Sequence, residues 1–381
     1  MENKENFFKL LDSIQVSNTC NVEDAKKQLS LLQNWILLNL PERLFKFFGP
    51  KNRNFEAVEN DEIWGSTIDE FNDPYESLPY YRMERCEQEL VNNISLNTLS
   101  NFISLFKQGT IPNGIKSLAP RDFVDNISAF CSDLRIDDSY VVNIDSIRTQ
   151  IQCWLKNNSH ALISDSYANL YLSQRMRHIA CFTEERDTTL MWGHYGGGHK
   201  GFCVEYDFTK ILKKCNENCT DIRACPQFML NLALAPVRYV EKRFDATPFL
   251  ATVIMDSIIK QIGLPVSSFH SDTLIATKCL LAKSIDWSYE KEWRMLSMPN
   301  NVSGENHKII AKVQASAVYM GAHTSDETRS RLSKICAKKG IPCYLMIQKY
   351  SNNEFNVDPV LYNEYLQWVG KQHELSLELE N

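Results

Sequence analysis

"AVYMGAHTSDETRSRLSKICAKKGIPCYLMIQ", residues 317–348, decides the fold. Residues 317–320 and 343–348 are short apolar runs with aromatic and β-branched content, which is strand chemistry. The stretch between them reads as a capped helix. Apolar residues in the intervening stretch recur at three to four, the helical period. A strand, a capped helix and a strand make a βαβ unit, whose right-handed crossover sets its two strands parallel and adjacent.

Working outward, IACFT and GFCVEYDF alternate as strands do, with Phe202, Val204 and Tyr206 on one face and Cys203, Glu205 and Asp207 on the other. Strands are therefore expected near 179–183, 201–207, 292–298, 315–321 and 342–348, with others at PVRYV and IIAKV. Helices are expected through the first 48 residues, from Phe208, and over roughly 247–284. Asn21 or Asp24 caps one of the early helices. EIWGS (62–66) is a short strand, and FNDPYESLP is a loop whose Asp73-Pro74 pair makes a defined corner. The pattern from 80 to 172 is mainly helical, broken at TIPNG and LAPRD. The fold class is α+β: a mixed β-sheet in the C-terminal half, a helical N-terminal segment (1–48), and an α+β domain (49–381) carrying a helical insertion at about 80–172.

Composition narrows the function classes. A chain of 381 residues with 44% hydrophobic and 23% charged content has the balance of a globular protein. Its net charge of -6 gives no electrostatic reason for tight sequence-independent binding to a phosphate backbone. The start has no secretory pattern, and the longest apolar run, WILLNL, is far short of a membrane span, so a cytoplasmic location without membrane contact is expected. The twelve cysteines are scattered, several within apolar runs. Cys215, Cys219 and Cys225 lie close together but lack C-x2-C spacing, and no histidine follows until His270, so a reduced loop is expected and no metal site is assigned.

Three stretches can carry chemistry. In TTLMWGHYGGGHK a short helix capped by Asp187 would place Trp192 with Tyr195 and Met191 with His194, before a glycine-rich turn leading to His199. Such a turn either joins core elements or offers backbone N–H groups to an anion. In WSYEKEWRML an extended chain would set Glu290, Glu292 and Arg294 on one face, as a solvated ion pair or as carboxylates for a ribose, a metal or a proton. In FNDPYE, Asp73 and Glu76 either organise the turn or bind a cation or sugar. The expectation is that Trp64, Asp73, His194, Tyr195, His199 and Glu292 line one pocket.

Together these motifs resemble a widespread bacterial family described only as a domain of unknown function. The resemblance runs through Lys46-Phe47, Trp64 in W-x-S, Phe71 to Glu76, Cys181 to Cys203, Tyr289 to Arg294, and the closing strand, helix and strand, from about residue 43 onward. It departs at LFKFF, which stands where Lys-Tyr-Arg is commoner. A second resemblance is to ADP-ribosyltransferase-type toxins and defence effectors. It implies an NAD-consuming effector of phage defence, with Glu292 stabilising the developing oxocarbenium, Glu290 assisting the acceptor and Thr183 in the central strand; the order of the histidine-rich turn ahead of E-x-E adds the expectation that His194 orients the nucleotide. The partners implied are a small-molecule nucleotide and a nucleic-acid or protein acceptor. Two alternatives stay open: a nuclease holding Mg²⁺ on Asp73, Glu76, Glu290 and Glu292, and a non-enzymatic small-molecule sensor or interaction module.

Overall fold

The computed structural model of the chain describes residues 2–14, 16, 21–92, 144–209, 234–261, 272–297, 309–348, 355 and 357–380. Among these the α+β expectation holds, with one large mixed sheet and helices on both sides of it. The loop of Cys215, Cys219 and Cys225, the TIPNG and LAPRD breaks and most of the helix expected from Phe208 lie outside the described residues. No helix among the described residues is long and apolar enough to cross a membrane.

The chain opens with helices α1 (Glu2–Ser13) and α2 (Val22–Asn39), the latter capped by the Asn21 side chain, which accepts from the Glu23 N–H. The helical reading of residues 44–48 is corrected: Leu44–Phe48 is strand β1. LFKFF has no period of its own, and its flanking partners decide the conformation. Lys46 opposes Val204 of β4 (Phe202–Tyr206), while Phe45 opposes Thr183 of β3 (Ile179–Thr183). Helix α3 (Asn52–Glu59) and strand β2 (Glu62–Trp64) follow, then helices α4 (Met83–Asn92) and α5 (Ile144–Arg175).

Beyond β3 come the short helix α6 (Thr189–His194), β4, and strands β5 (Leu234–Pro236) and β6 (Arg238–Val240). The single helix expected over 247–284 is instead α7 (Thr247–Gln261), α8 (Ile275–Leu280) and strand β7 (Ala282–Ser284), which pairs with β6. β8 (Glu292–Leu296), β9 (Ile309–Lys312), β10 (Ala317–Met320), α9 (Asp326–Lys339), β11 (Cys343–Gln348), β12 (Val357–Leu361) and α10 (Tyr362–Glu380) complete the described chain. The sheet runs β12-β11-β10-β4-β1-β3-β8-β5, with β10 and β11 parallel as the opening motif requires. Ser325 caps α9 by accepting from the Thr328 N–H, and Gly340 ends it at φ 66°.

One sheet face carries Leu44, Phe48, Phe182, Phe202, Val204, Tyr206, Trp293 and Met295 in a continuous apolar core. The alternation in β4 is as expected, but Cys203 on the opposite face is buried too, against Phe45, Trp192 and Tyr319. Both faces of the central strands are covered, so burial and not solvation sets every residue there.

The glycine-rich turn after α6 joins core elements. Gly197, Gly198 and His199 all have positive φ (61°, 66° and 65°), a left-handed run that the two glycines adopt at no steric cost. The turn lays residues 199–201 against the ends of β1 and β10: Gly321 N–H donates to Gly201 O at 2.9 Å and His323 N–H to His199 O at 3.0 Å. A methyl group at Gly201 would collide with the Phe48 carbonyl oxygen. Gly201→Ala should therefore cost about 3 kcal/mol or more, whereas Gly193→Ala, in open space on α6, should be neutral or stabilising by up to about 1 kcal/mol. Chemical denaturation of the two variants checks this, and equal stabilities would contradict it.

Candidate functional site

The site begins with the strand geometry of β8. Glu292 and Arg294 share the face opposite Trp293 and Met295, as period two dictates. They are not a solvated ion pair. Glu292 is 2% exposed and Arg294 is fully buried. Arg294 Nε donates to Glu292 Oε1 at 2.8 Å, and its Nη1 reaches Ser77 Oγ at 3.2 Å and the Leu280 carbonyl at 2.5 Å. Its Nη2 also pairs with Glu76. Burial lowers the Arg294 guanidinium to about 9, which leaves it protonated at neutral pH.

Glu290 does not extend β8. It ends a 3-10 turn (Ile285–Glu290), and Lys291 beside it takes a left-handed φ of 44°. That turn still delivers Glu290 to the same cluster. Lys283, on β7, donates to Glu290 Oε2 at 2.5 Å and to Glu292 Oε2 at 3.2 Å, and lies 3.4 Å from Glu76 Oε1. Tyr195 donates its hydroxyl to Glu290 Oε1 at 2.5 Å, and Asn72 donates to Tyr195. Thr183 donates to the Glu290 carbonyl at 2.5 Å, while the Tyr239 hydroxyl accepts from the Glu292 N–H at 2.7 Å.

The cluster sets two cations, Lys283 and Arg294, against three carboxylates, Glu76, Glu290 and Glu292. Burial is the largest influence on Glu292 and pushes its carboxyl up, Lys283 opposes this, and Glu290 reinforces it. For Lys283 burial acts downward, but Glu292 and Glu290 outweigh it and hold the ammonium well above its usual range. Behind the cluster Lys46 reaches the Cys181 carbonyl at 3.5 Å, where β1 and β3 share a single register pair. Burial lowers its ammonium, and Cys181 and Glu292 partly offset that.

A cleft of about 560 Å³ opens against this cluster. Lys283 is in its wall, together with Asp73, Tyr75, Ser77, Arg243, Phe244, Asp286 and Trp287. The FNDPYE corner builds one side: Asp73 Oδ1 accepts from the Tyr75 N–H at 2.8 Å, and Oδ2 from Trp287 Nε1 at 3.1 Å. Ser77, just beyond, holds a φ of 61°, a strained value for a residue with a side chain, fixed by Arg294 at its hydroxyl and Gln174 at its carbonyl.

The buried cluster behind the cleft brings together Glu76, Thr183, Tyr195, Glu290, Glu292 and Arg294 from separated segments, while of the expected residues Asp73 alone lines the cleft. His194 is exposed at the border, its ring 6.1 Å from Trp287 and 6.2 Å from Tyr289. Three expected members lie elsewhere. Trp64 sits on the β2–β9 ribbon with its indole on Glu62, Trp192 is a core residue against Phe47, and His199 stacks on Trp192 beside His323. The cap of α6 is Thr188, which accepts from the Met191 N–H, and not Asp187, which pairs with Arg186. Lys283, Trp287, Tyr239 and Arg243 were missed. Lys283 had a signal: a lone lysine inside the apolar run CLLAKSI needs buried partners.

Residues 191–295 match the family model described as "Protein of unknown function (DUF2971)". The DUF2971 match runs from α6 through β8, so it takes in Tyr195, Lys283, Glu290, Glu292 and Arg294 but not the FNDPYE corner or Lys46. No curated protein and no solved structure matches the chain.

Lys283→Met leaves buried carboxylates short of a partner and should cost about 3–5 kcal/mol at neutral pH. Without the ammonium, burial raises the folded-state Glu292 carboxyl further above its unfolded value of about 4.3, so the folded state binds a proton more readily. Stability from that source is present below the unfolded value and lost as pH rises through the folded one. Denaturation midpoints of the variant should therefore approach wild type as pH falls from 7.5 to 5. A constant deficit across that range would show that Lys283 acts by packing alone.

Proposed function

We propose that the cleft beside Lys283 is the site of an enzyme that processes a nucleotide, with NAD as the substrate and ADP-ribosyl transfer as the reaction. The observation that carries the reading is the placement of carboxylates behind the cleft's inner wall. Three buried carboxylates, Glu76, Glu290 and Glu292, stand directly behind the cleft against Lys283 and Arg294, with Lys46 further back, so fixed acidic groups lie close to whatever charge develops in the cleft. A carboxylate fixed at low dielectric opposes an oxocarbenium-like charge without reorganising at the moment of reaction. Trp287, Tyr75 and Phe244 supply aromatic surface for a planar ring, and the volume suits a ligand of nucleotide size.

In this reading Lys283 fronts Glu292 and Glu290, which act on the bound group through space. Tyr195 and Thr183 fix Glu290, and His194 at the rim orients the ligand together with Trp287. A carboxylate set for Mg²⁺ has less support, because Glu76, Glu290 and Glu292 are already engaged by Lys283 and Arg294. Among the described residues no group of three or more His, Cys, Asp or Glu side chains is arranged to hold a metal ion. A role in antiviral defence rests on the resemblance alone.

Glu292→Gln tests the reading. It keeps the shape but sets an amide N–H against the donors of Arg294 or Lys283, so it should also cost about 3 kcal/mol of stability, and turnover is therefore compared per folded molecule. If the Glu292 charge acts on the reaction, NAD turnover should fall about 100-fold or more, with ligand affinity little altered. The assay is NAD consumption by wild type and variant at matched folded concentration, offered protein and nucleic-acid acceptors. No wild-type consumption would reject the transferase, and NAD binding without turnover would leave a sensor.

A further inference from the structure

We infer that Arg243 is the anion anchor of the cleft and takes a phosphate group of the ligand, an inference that rests on the nucleotide reading above. The two cations in the cleft wall differ in what they have left to offer. Lys283 is saturated by Glu76, Glu290 and Glu292. Arg243 lies between β6 and α7 with its guanidinium over two rings, 5.1 Å from the centroid of Tyr75 and 5.9 Å from that of Tyr80. Among the described residues no carboxylate pairs with it. Its neighbour Asp245 is taken by Arg82 and by the Thr247 N–H, and Asp73 has both oxygens engaged by Tyr75 and Trp287.

A guanidinium resting on aromatic faces keeps its planar edge of N–H donors free, and that edge matches the oxygens of a phosphate. Arg243 is exposed and Tyr75 is 63% exposed, so a phosphate held there stays partly hydrated and costs little to desolvate. The surroundings differ beside Trp287 and Lys283, where Glu76, Glu290 and Glu292 stand just behind the wall and every donor of Lys283 is already taken. A ligand with an anionic group at one end and a cationic or cation-forming group at the other fits this division, and an uncharged nucleoside does not use it. The substrate class that follows is a phosphorylated nucleoside, with the phosphate on the Tyr75–Tyr80–Arg243 wall.

The experiment is calorimetric titration of wild type, Arg243→Ala and Arg243→Lys with adenosine, AMP and ADP-ribose, after thermal melts confirm that all three proteins are folded. Wild type should bind AMP and ADP-ribose about tenfold or more tightly than adenosine, the worth of a charge-assisted hydrogen-bonded contact. Arg243→Ala should lose that preference while its adenosine affinity stays the same, and Arg243→Lys should restore part of it. The wild-type preference should also shrink as salt is raised. An alanine variant that keeps the phosphate preference, or that weakens adenosine and AMP equally, overturns the anchor while the nucleotide reading survives. Failure of wild type to bind any of the three, or NAD, removes the nucleotide reading and the anchor with it.

Discussion

Lys283 and Arg294, shared among Glu76, Glu290 and Glu292, hold the FNDPYES corner to a segment far from it in sequence, the run of β7, the 3-10 turn and β8. Burying five ionised groups is expensive, and well-packed apolar side chains of similar volume would serve stability as well or better. What ions do that apolar groups cannot is fix direction. Each guanidinium or ammonium N–H has an assigned oxygen, and a shift of any strand by one residue would strand a charge in the core. The cluster is thus a registration device for the cleft, and the strained Ser77 backbone is held in place by the same arginine.

The cleft inherits its character from this arrangement. Its inner wall is ionic and fixed, with every polar group assigned. Its outer wall, around Tyr75 and Arg243, is exposed and still has donors to give. In the proposed reading, selectivity for a ligand with two unlike ends would come from having one satisfied wall and one unsatisfied wall, and not from the volume of the space between them.

Much of the fold was legible because period two and helix caps are local signals. IACFT, GFCVEYDF and the βαβ unit at 317–348 needed nothing from elsewhere in the chain. LFKFF was not legible, since an uninterrupted apolar run fits a strand or a helix and only its partners Val204 and Thr183 decide. The break between α7 and β7 was invisible for a related reason: a strand of three residues is too short to show a period. Within the site, the carboxylates announced themselves by type and spacing, and Glu292 with Arg294 by alternation. Glu290 reached the cluster by a left-handed turn at Lys291 that no propensity foretells. Lys283, 5% exposed, was signalled only by its apolar neighbours in CLLAKSI, a signal that the helical reading of 247–284 masks by putting lysines on a solvated face. The histidine-rich turn misled in the other direction, because His199 serves the turn between α6 and β4 while His194 alone stands near the cleft.

The place of β1 in the sheet has a bearing on how the molecule is made. It is an interior strand, between β4 and β3, yet it leaves the ribosome long before either. Until β3 is made at Ile179–Thr183, Leu44–Phe48 has neither neighbour, and until Tyr206 it has only one, so its unpaired backbone and three phenylalanines stay open to other contacts. A strand in that condition invites pairing with other chains, and contacts across such distances in sequence form slowly. The nascent protein is thus a natural client for chaperones that hold apolar segments, and its yield in a cell depends on that protection as much as on the stability of the finished fold.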